Sequence, residues 1–121
     1  DELCMLARLP YNLPIPRSAL LVRVCATLRE SPGEQLGLEA IAARHGVTTR
    51  TLARRFRAET AMSFSEWRRR ARLLRALTWI AEGKPILEVA LDLGYDSPSA
   101  FSAMFKREFG ISPTRYRSAA A

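Results

Sequence analysis

Three arginines, Arg50, Arg54 and Arg57, have the plainest chemical capacity in the chain. They lie in the stretch Thr-Thr-Arg-Thr-Leu-Ala-Arg-Arg-Phe-Arg-Ala-Glu-Thr at 48–60. A planar guanidinium can fork onto guanine O6 and N7, a contact worth ~1–3 kcal/mol of discrimination, or grip the oxygens of a phosphate. At about 100° per residue the three share one helix face, while Leu52 and Phe56 fall on the other. Something must hold that face outward. Leu38, Ile41 and Ala42 mark a short amphipathic helix ahead of it, ending at Gly46, where a residue without Cβ can take a positive φ. Thr48 or Thr49 then supplies an oxygen to cap the second helix. Helix, tight glycine turn and arginine-bearing helix form the pattern of a helix-turn-helix reader. A helical hairpin with a solvated basic face would have the same pattern.

A repeat separates the two. Leu38, Ile41, Ala42 and Gly46 recur 48 positions later as Ile86, Val89, Ala90 and Gly94. Leu52, Phe56, Arg57 and Glu59 recur 49 positions later as Phe101, Phe105, Lys106 and Glu108, and Trp67-Arg68 returns as Tyr116-Arg117. The change of offset by one implies a second turn one residue longer. Two copies are too few for a solenoid. The expected fold is therefore all-α: two helix-turn-helix subdomains joined by a long linker helix, about seven helices in all.

The second copy, ILEVALDLGYDSPSAFSAMFKREFGISPTRYR at 86–117, resembles the signature of the AraC/XylS family of bacterial transcription regulators, and the likeness extends over residues 18–117. SFSEWRRRARLLRAL and SPSAFSAMF further resemble a subgroup with a cupin-like sensor domain ahead of the DNA-binding part. The resemblance implies sequence-specific binding of double-stranded promoter DNA by the output domain of a regulator. Recognition helices near 49–59 and 98–109 would enter successive major grooves. Base contacts are then expected from Arg50 and Arg54, and from Ser99 and Ala103 at the matching angles of the second helix. Backbone contacts are expected from Thr48, Thr49, Thr51 and Arg57, and from Ser97, Ser102, Lys106 and Arg107. Two departures from the family weigh specificity towards the first reader. Ala103 stands where many members carry a long polar residue, and Pro98 replaces a polar residue and removes a donor. Ala61 stands where the family usually has glycine, at a helix end that favours the left-handed region.

Composition narrows the class. The net charge is +7, and residues 37–75 hold all of the excess, with ten Arg against three Glu. Such a local surplus steers the chain towards an anionic partner. Cys4 and Cys25 are too few and too far apart for a disulfide framework or zinc site, which fits a reducing bacterial cytoplasm. No paired nucleophile and base, glycine-rich phosphate loop or metal-ligand spacing is present. Neither enzyme activity, a cofactor nor a metal is expected. No apolar run approaches the ~20 residues needed to span a bilayer.

In chain order, residues 1–17 read as the end of an interdomain linker, with Pro10, Pro14 and Pro16 keeping it extended. Residues 18–121 read as the DNA-binding domain: a first unit at 18–62, a connecting helix at 63–82 and a second unit at 83–117. Ser18 is expected to cap a helix at 19–30, which props the first reader, and Ser63 to cap the connecting helix. On that helix Phe64, Trp67, Ala71, Leu74, Leu77 and Ile80/Ala81 suggest one buried seam joining the two readers. Its Arg68, Arg69, Arg70, Arg72 and Arg75 admit phosphate contact, a membrane surface or a solvated face, with a structural ion pair expected of Arg72. His45 reads as dipole-compensating or solvated, and Glu59 and Glu108 as partners of nearby arginines. A short helical turn follows Pro113, and Ala119–Ala121 should fray. RNA polymerase is an expected second partner, and an effector would act only through an N-terminal domain. The alternative is a helical protein-interaction module with only non-specific DNA affinity.

Overall fold

The computed structural model describes residues 13–120. Among them are seven helices and no strand: α1 (Ala19–Glu30), α2 (Leu38–Arg44), α3 (Thr49–Thr60), α4 (Phe64–Ala81), α5 (Ile86–Asp92), α6 (Pro98–Phe109) and α7 (Pro113–Ala120). They form two compact units, and the division falls within α4 between Arg72 and Leu73. The readings of Cys4, Pro10 and Ala121 lie outside the described residues.

The caps explain where the helices of the first unit begin. Ser18 accepts the N–H of Leu21 at 3.2 Å, Thr48 that of Thr51 at 3.1 Å and Ser63 that of Glu66 at 3.1 Å. Each thereby satisfies a donor that a helix start leaves open. Leu21, Val24, Cys25 and Leu28 of α1 pack with Ile41, Ala42, Leu52, Phe56, Phe64 and Trp67 in one buried cluster. The edges of Phe64 and Trp67 meet Phe56, with ring centroids 5.6 and 6.2 Å away. α1 therefore supports the reader from behind. Burial pushes the Cys25 thiol up to about 12, as expected of a small core residue. The residues just ahead of α1 are also held: Leu13 packs against this core, and the Trp67 indole N–H donates to the Pro14 carbonyl at 3.3 Å.

In the second unit Leu73, Ala76 and Ile80 of α4 pack with Val89, Ala90, Leu93, Phe101, Met104, Phe105 and Phe109. This corrects the expectation of a single seam on α4. Of the expected stripe, Phe64, Trp67 and Ile80 are buried, and Ala71 and Leu77 are half-buried against the first and the second core. Leu74, however, is only half-buried, Ala81 is exposed, and Leu73 and Ala76, outside the stripe, are buried. The helix serves two separate cores, so its apolar side changes partway along. A second correction concerns the C-terminus: Ala119 and Ala120 do not fray but extend α7, whose ring contact is Tyr116 on Phe105 at 6.0 Å.

The two helix-turn-helix turns repeat each other. Gly46 (φ 70°) and Gly94 (φ 90°) take the left-handed conformation. Their N–H groups donate to Ala43 and Leu91, and the following N–H groups of Val47 and Tyr95 donate to Ala42 and Ala90, both at 3.0 Å. Four residues separate α2 from α3 and five separate α5 from α6, as the shift in repeat offset implied. At the end of α6, Gly110 sits at φ 82°; at the matching end of α3, Ala61 is forced to φ 60°. Ala61 is the one residue other than glycine with positive φ among those described.

Candidate nucleic-acid interface

Because α3 buries Leu52, Phe56 and Thr60, its opposite face must meet solvent, and Arg50, Arg54 and Arg57 are all exposed there. Arg54 and Arg57 flank a shallow depression over Ala53 and Ala58. Small residues between the cations let another surface approach closely. At the start of the helix, Thr48 is committed to the cap, its hydroxyl also donating to Thr51 Oγ1 at 2.9 Å. Thr51 accepts that bond and keeps its own proton to donate outward. Thr51 is exposed and Thr49 half-buried.

On α6, Phe101, Met104, Phe105 and Phe109 face inward, leaving Ser99, Ala103, Lys106 and Arg107 exposed and Ser102 half-buried. Ser97 is the cap, accepting the Ala100 N–H at 3.1 Å, and Pro98 holds the first helical position, where a missing N–H costs least. The outward face of α6 carries two cations near its C-terminal end and only small groups before them. Each expected site residue thus lies on or beside the recognition helix assigned to it.

The arginines of α4 have internal work. Arg72 donates to the carbonyls of Pro32 at 2.7 Å and Glu34 at 2.8 Å, and Arg68 to that of Leu36 while lying over the Phe64 ring. The structural role expected of Arg72 therefore runs through main-chain oxygens, which fasten the loop between α1 and α2. Burial first, and then the charge of Arg72, press the Arg68 pKa below its ordinary value. Arg69 and Arg70 pair with Glu66 at 3.0 Å, and these bonds hold its carboxyl below the usual range. Arg75 lies over Trp79.

Glu59 makes the expected pair and more besides. An arginine does pair with it, Arg55 at 3.8 Å, but the closer bonds are main-chain: Arg17 and Ser18 each donate an N–H at 2.7 Å. The Ser18 N–H is the leading cause of its lowered pKa. Glu59 so ties the C-terminal end of α3 to the start of α1. His45 is the C-cap residue of α2, the helix end where the dipole-compensating reading put it, and is half-buried, with Nε2 out of contact with solvent. The sequence left Arg68 open between phosphate contact, a membrane surface and a solvated face and gave Arg117 no role, although Trp67-Arg68 repeats as Tyr116-Arg117.

The fold and the cationic face together define a double helix-turn-helix nucleic-acid reader. Residues 41–119 match a helix-turn-helix domain family. The chain is 34% identical over 116 residues to the HTH-type transcriptional regulator NimR of Escherichia coli (strain K12), covering 96% of this chain and 42% of that one. It is 36% identical over 85 residues to the regulatory protein SoxS of Salmonella typhimurium, covering 69% and 79%. Among solved structures, the DNA-binding domain of the global transcriptional factor AdpA, in complex with a target DNA, superposes with a TM-score of 0.73. That match has 36% identity and covers 84% of this chain and 93% of that one. The chain belongs to the AraC/XylS family and is a DNA-binding domain of that type, a class of transcription regulators rather than enzymes. It spans about two-fifths of the length of NimR.

Proposed function

We propose that this domain binds double-stranded promoter DNA sequence-specifically as the output part of a transcription regulator, with α3 and α6 in successive major grooves. The observation that carries the proposal is the face of α3: three exposed arginines on a capped helix whose other face is locked into a core. Arg50 and Arg54 read bases, joined more weakly by Ser99 and Ala103. Thr48, Thr49, Thr51, Arg57, Ser97, Ser102, Lys106 and Arg107 hold the backbone. Arginine forks onto guanine whereas serine and alanine cannot, so specificity is weighted to α3. Grooves on one DNA face recur about every 34 Å, and any misfit in spacing must be met by bending the DNA. Because the two readers differ, the site is asymmetric.

An effector would act through a sensor region elsewhere in the full protein, as the likeness to the cupin-bearing subgroup suggests. RNA polymerase is the proposed second partner, supported by Leu87 and Leu91, which are about half exposed and one turn apart on α5. The working place is the bacterial cytoplasm at the nucleoid; no helix among the described residues is long and apolar enough to cross a membrane.

A salt titration with duplex DNA tests the proposal. Each phosphate contact releases counterions, so the logarithm of affinity should fall steeply with the logarithm of salt, by ~0.9 per phosphate. A flat dependence would instead favour a protein-interaction module.

A further inference from the structure

Arg68 and Arg117 stand 49 positions apart, and what one does the other repeats. Arg68 donates Nη1 to the Leu36 carbonyl; Arg117 donates Nη2 to the Lys84 carbonyl, 48 positions on. Each keeps one further guanidinium nitrogen out of solvent contact with no hydrogen-bond partner, Nη2 in Arg68 and Nε in Arg117. Beside Arg68, in the first unit, lies an open hollow of about 340 Å³ bordered by Leu38, Ala53, Arg57, Ser63, Ser65 and Arg68. No acidic side chain lines it. It adjoins the start of α4, where the first N–H groups of a helix have no intrahelical acceptor and the dipole favours an anion.

Adding 49 to the four polar residues of this hollow leads to Lys106, Ser112, Thr114 and Arg117. A cation answers each cation and a hydroxyl each hydroxyl. Ser63 and Ser112 even make the same bond, accepting the N–H of Glu66 and of Arg115 at 3.1 Å. The base-reading positions have gone the other way: Arg50 is answered by Ser99 and Arg54 by Ala103. Two halves that differ where they would read sequence, yet carry matching polar residues at these four positions of the repeat, share a ligand without sequence. The backbone phosphate is the part of DNA that fits this description.

We propose that each unit seats one DNA backbone phosphate, the first on Arg57, Ser63, Ser65 and Arg68 and the second on Lys106, Ser112, Thr114 and Arg117. The inference rests on the DNA-binding reading and adds Ser63, Ser65, Arg68, Ser112, Thr114 and Arg117 to the residues that hold the duplex. Each seat fixes the register of its recognition helix, and base contacts then discriminate.

The test uses Ser65 and Thr114, both exposed in the first turns of α4 and α7. An aspartate there suits the helix dipole but repels a phosphate. Ser65→Asp and Thr114→Asp should each weaken binding to preferred and random duplexes by the same factor, roughly fivefold. Each should shallow the salt slope by ~1, with no fall in melting temperature. Ser65→Lys and Thr114→Lys should tighten binding to both duplexes and steepen the slope. Unchanged affinity in the aspartate variants, a loss confined to the preferred duplex, or a loss with lysine as well as aspartate would each overturn the proposal while leaving DNA binding intact. If the parent chain bound no duplex at low salt, the DNA-binding reading would fail first and take this inference with it.

Discussion

At the scale of single residues, the structure separates arginines that face outward from those that hold the fold. Arg54 is exposed on α3, whereas Arg72 is spent on the loop carbonyls of Pro32 and Glu34. Arg54→Ala should cost ~1–3 kcal/mol on the preferred duplex and little on random DNA. Lys106→Ala should weaken both alike and shallow the salt slope by ~1; quantitative binding at several salt concentrations checks the pair. Glu59 gives a stability prediction with a sign. Its folded pKa is depressed, chiefly by the Ser18 N–H. Its contribution is therefore full above the unfolded value of about 4.3 and is lost as the pH falls through the lower folded value. Glu59→Ala should cost about 1.5–3 kcal/mol at neutral pH, the range for hydrogen bonds to a charged group, and much less once the carboxylate of the parent is protonated. Denaturant melts at neutral and acid pH measure this difference.

The outward arginines were legible in the sequence because helical period alone fixes which face they share with one another and which they do not share with Leu52 and Phe56. The nearby arginine expected for Glu59 was legible too, as Arg55, but the main-chain partners of Glu59, Arg68 and Arg72 were not. They lie 32 to 42 positions away in the chain, and three of the five bonds counted there end on carbonyls, which every residue type carries. Composition and spacing are silent about such bonds.

At the scale of elements, the repeat foretold the turns, their glycines and the extra residue between α5 and α6. The caps Ser18 and Ser63 were equally plain, since each precedes an apolar period, whereas the sequence left Thr48 and Thr49 both open and the structure takes Thr48. What misled was α4. Periodicity continued the Phe64–Trp67–Ala71 stripe through Leu74 and Leu77 to Ile80, but a helix shared by two cores need not keep one stripe: Ile80 is buried as expected, and Leu73 and Ala76, outside the stripe, are buried with it. The end of α3 carries its own prediction. A left-handed L-residue costs roughly 1–2 kcal/mol, and Ala61 bears that cost where Gly110 does not. Ala61→Gly should stabilise the chain by about 1 kcal/mol, since glycine adopts the conformation without steric cost while losing more chain entropy. Thermal unfolding of the two proteins reads the change, and the opposite sign would contradict the strained cap.

At the scale of the whole molecule, charge and core divide the labour. The surplus of seven positive charges lies within residues 37–75, while each unit closes its own aromatic cluster: Phe56 with Phe64 and Trp67, Phe105 with Phe101, Phe109 and Tyr116. Units of no more than about 60 residues have little stability to spare. Phe56→Ala or Phe105→Ala should therefore cost ~3–5 kcal/mol, enough to show as a large fall in melting temperature. The central claim is that two unlike readers on one chain recognise one asymmetric stretch of duplex. Selection of this chain against randomised duplex DNA at low and high salt, followed by sequencing of what stays bound, tests it most directly. The expected outcome is a steep salt dependence and an enriched two-box motif about one helical turn from box to box, with the α3 box more sharply defined. Two boxes of identical, palindromic sequence, or binding with neither salt dependence nor motif, would contradict it.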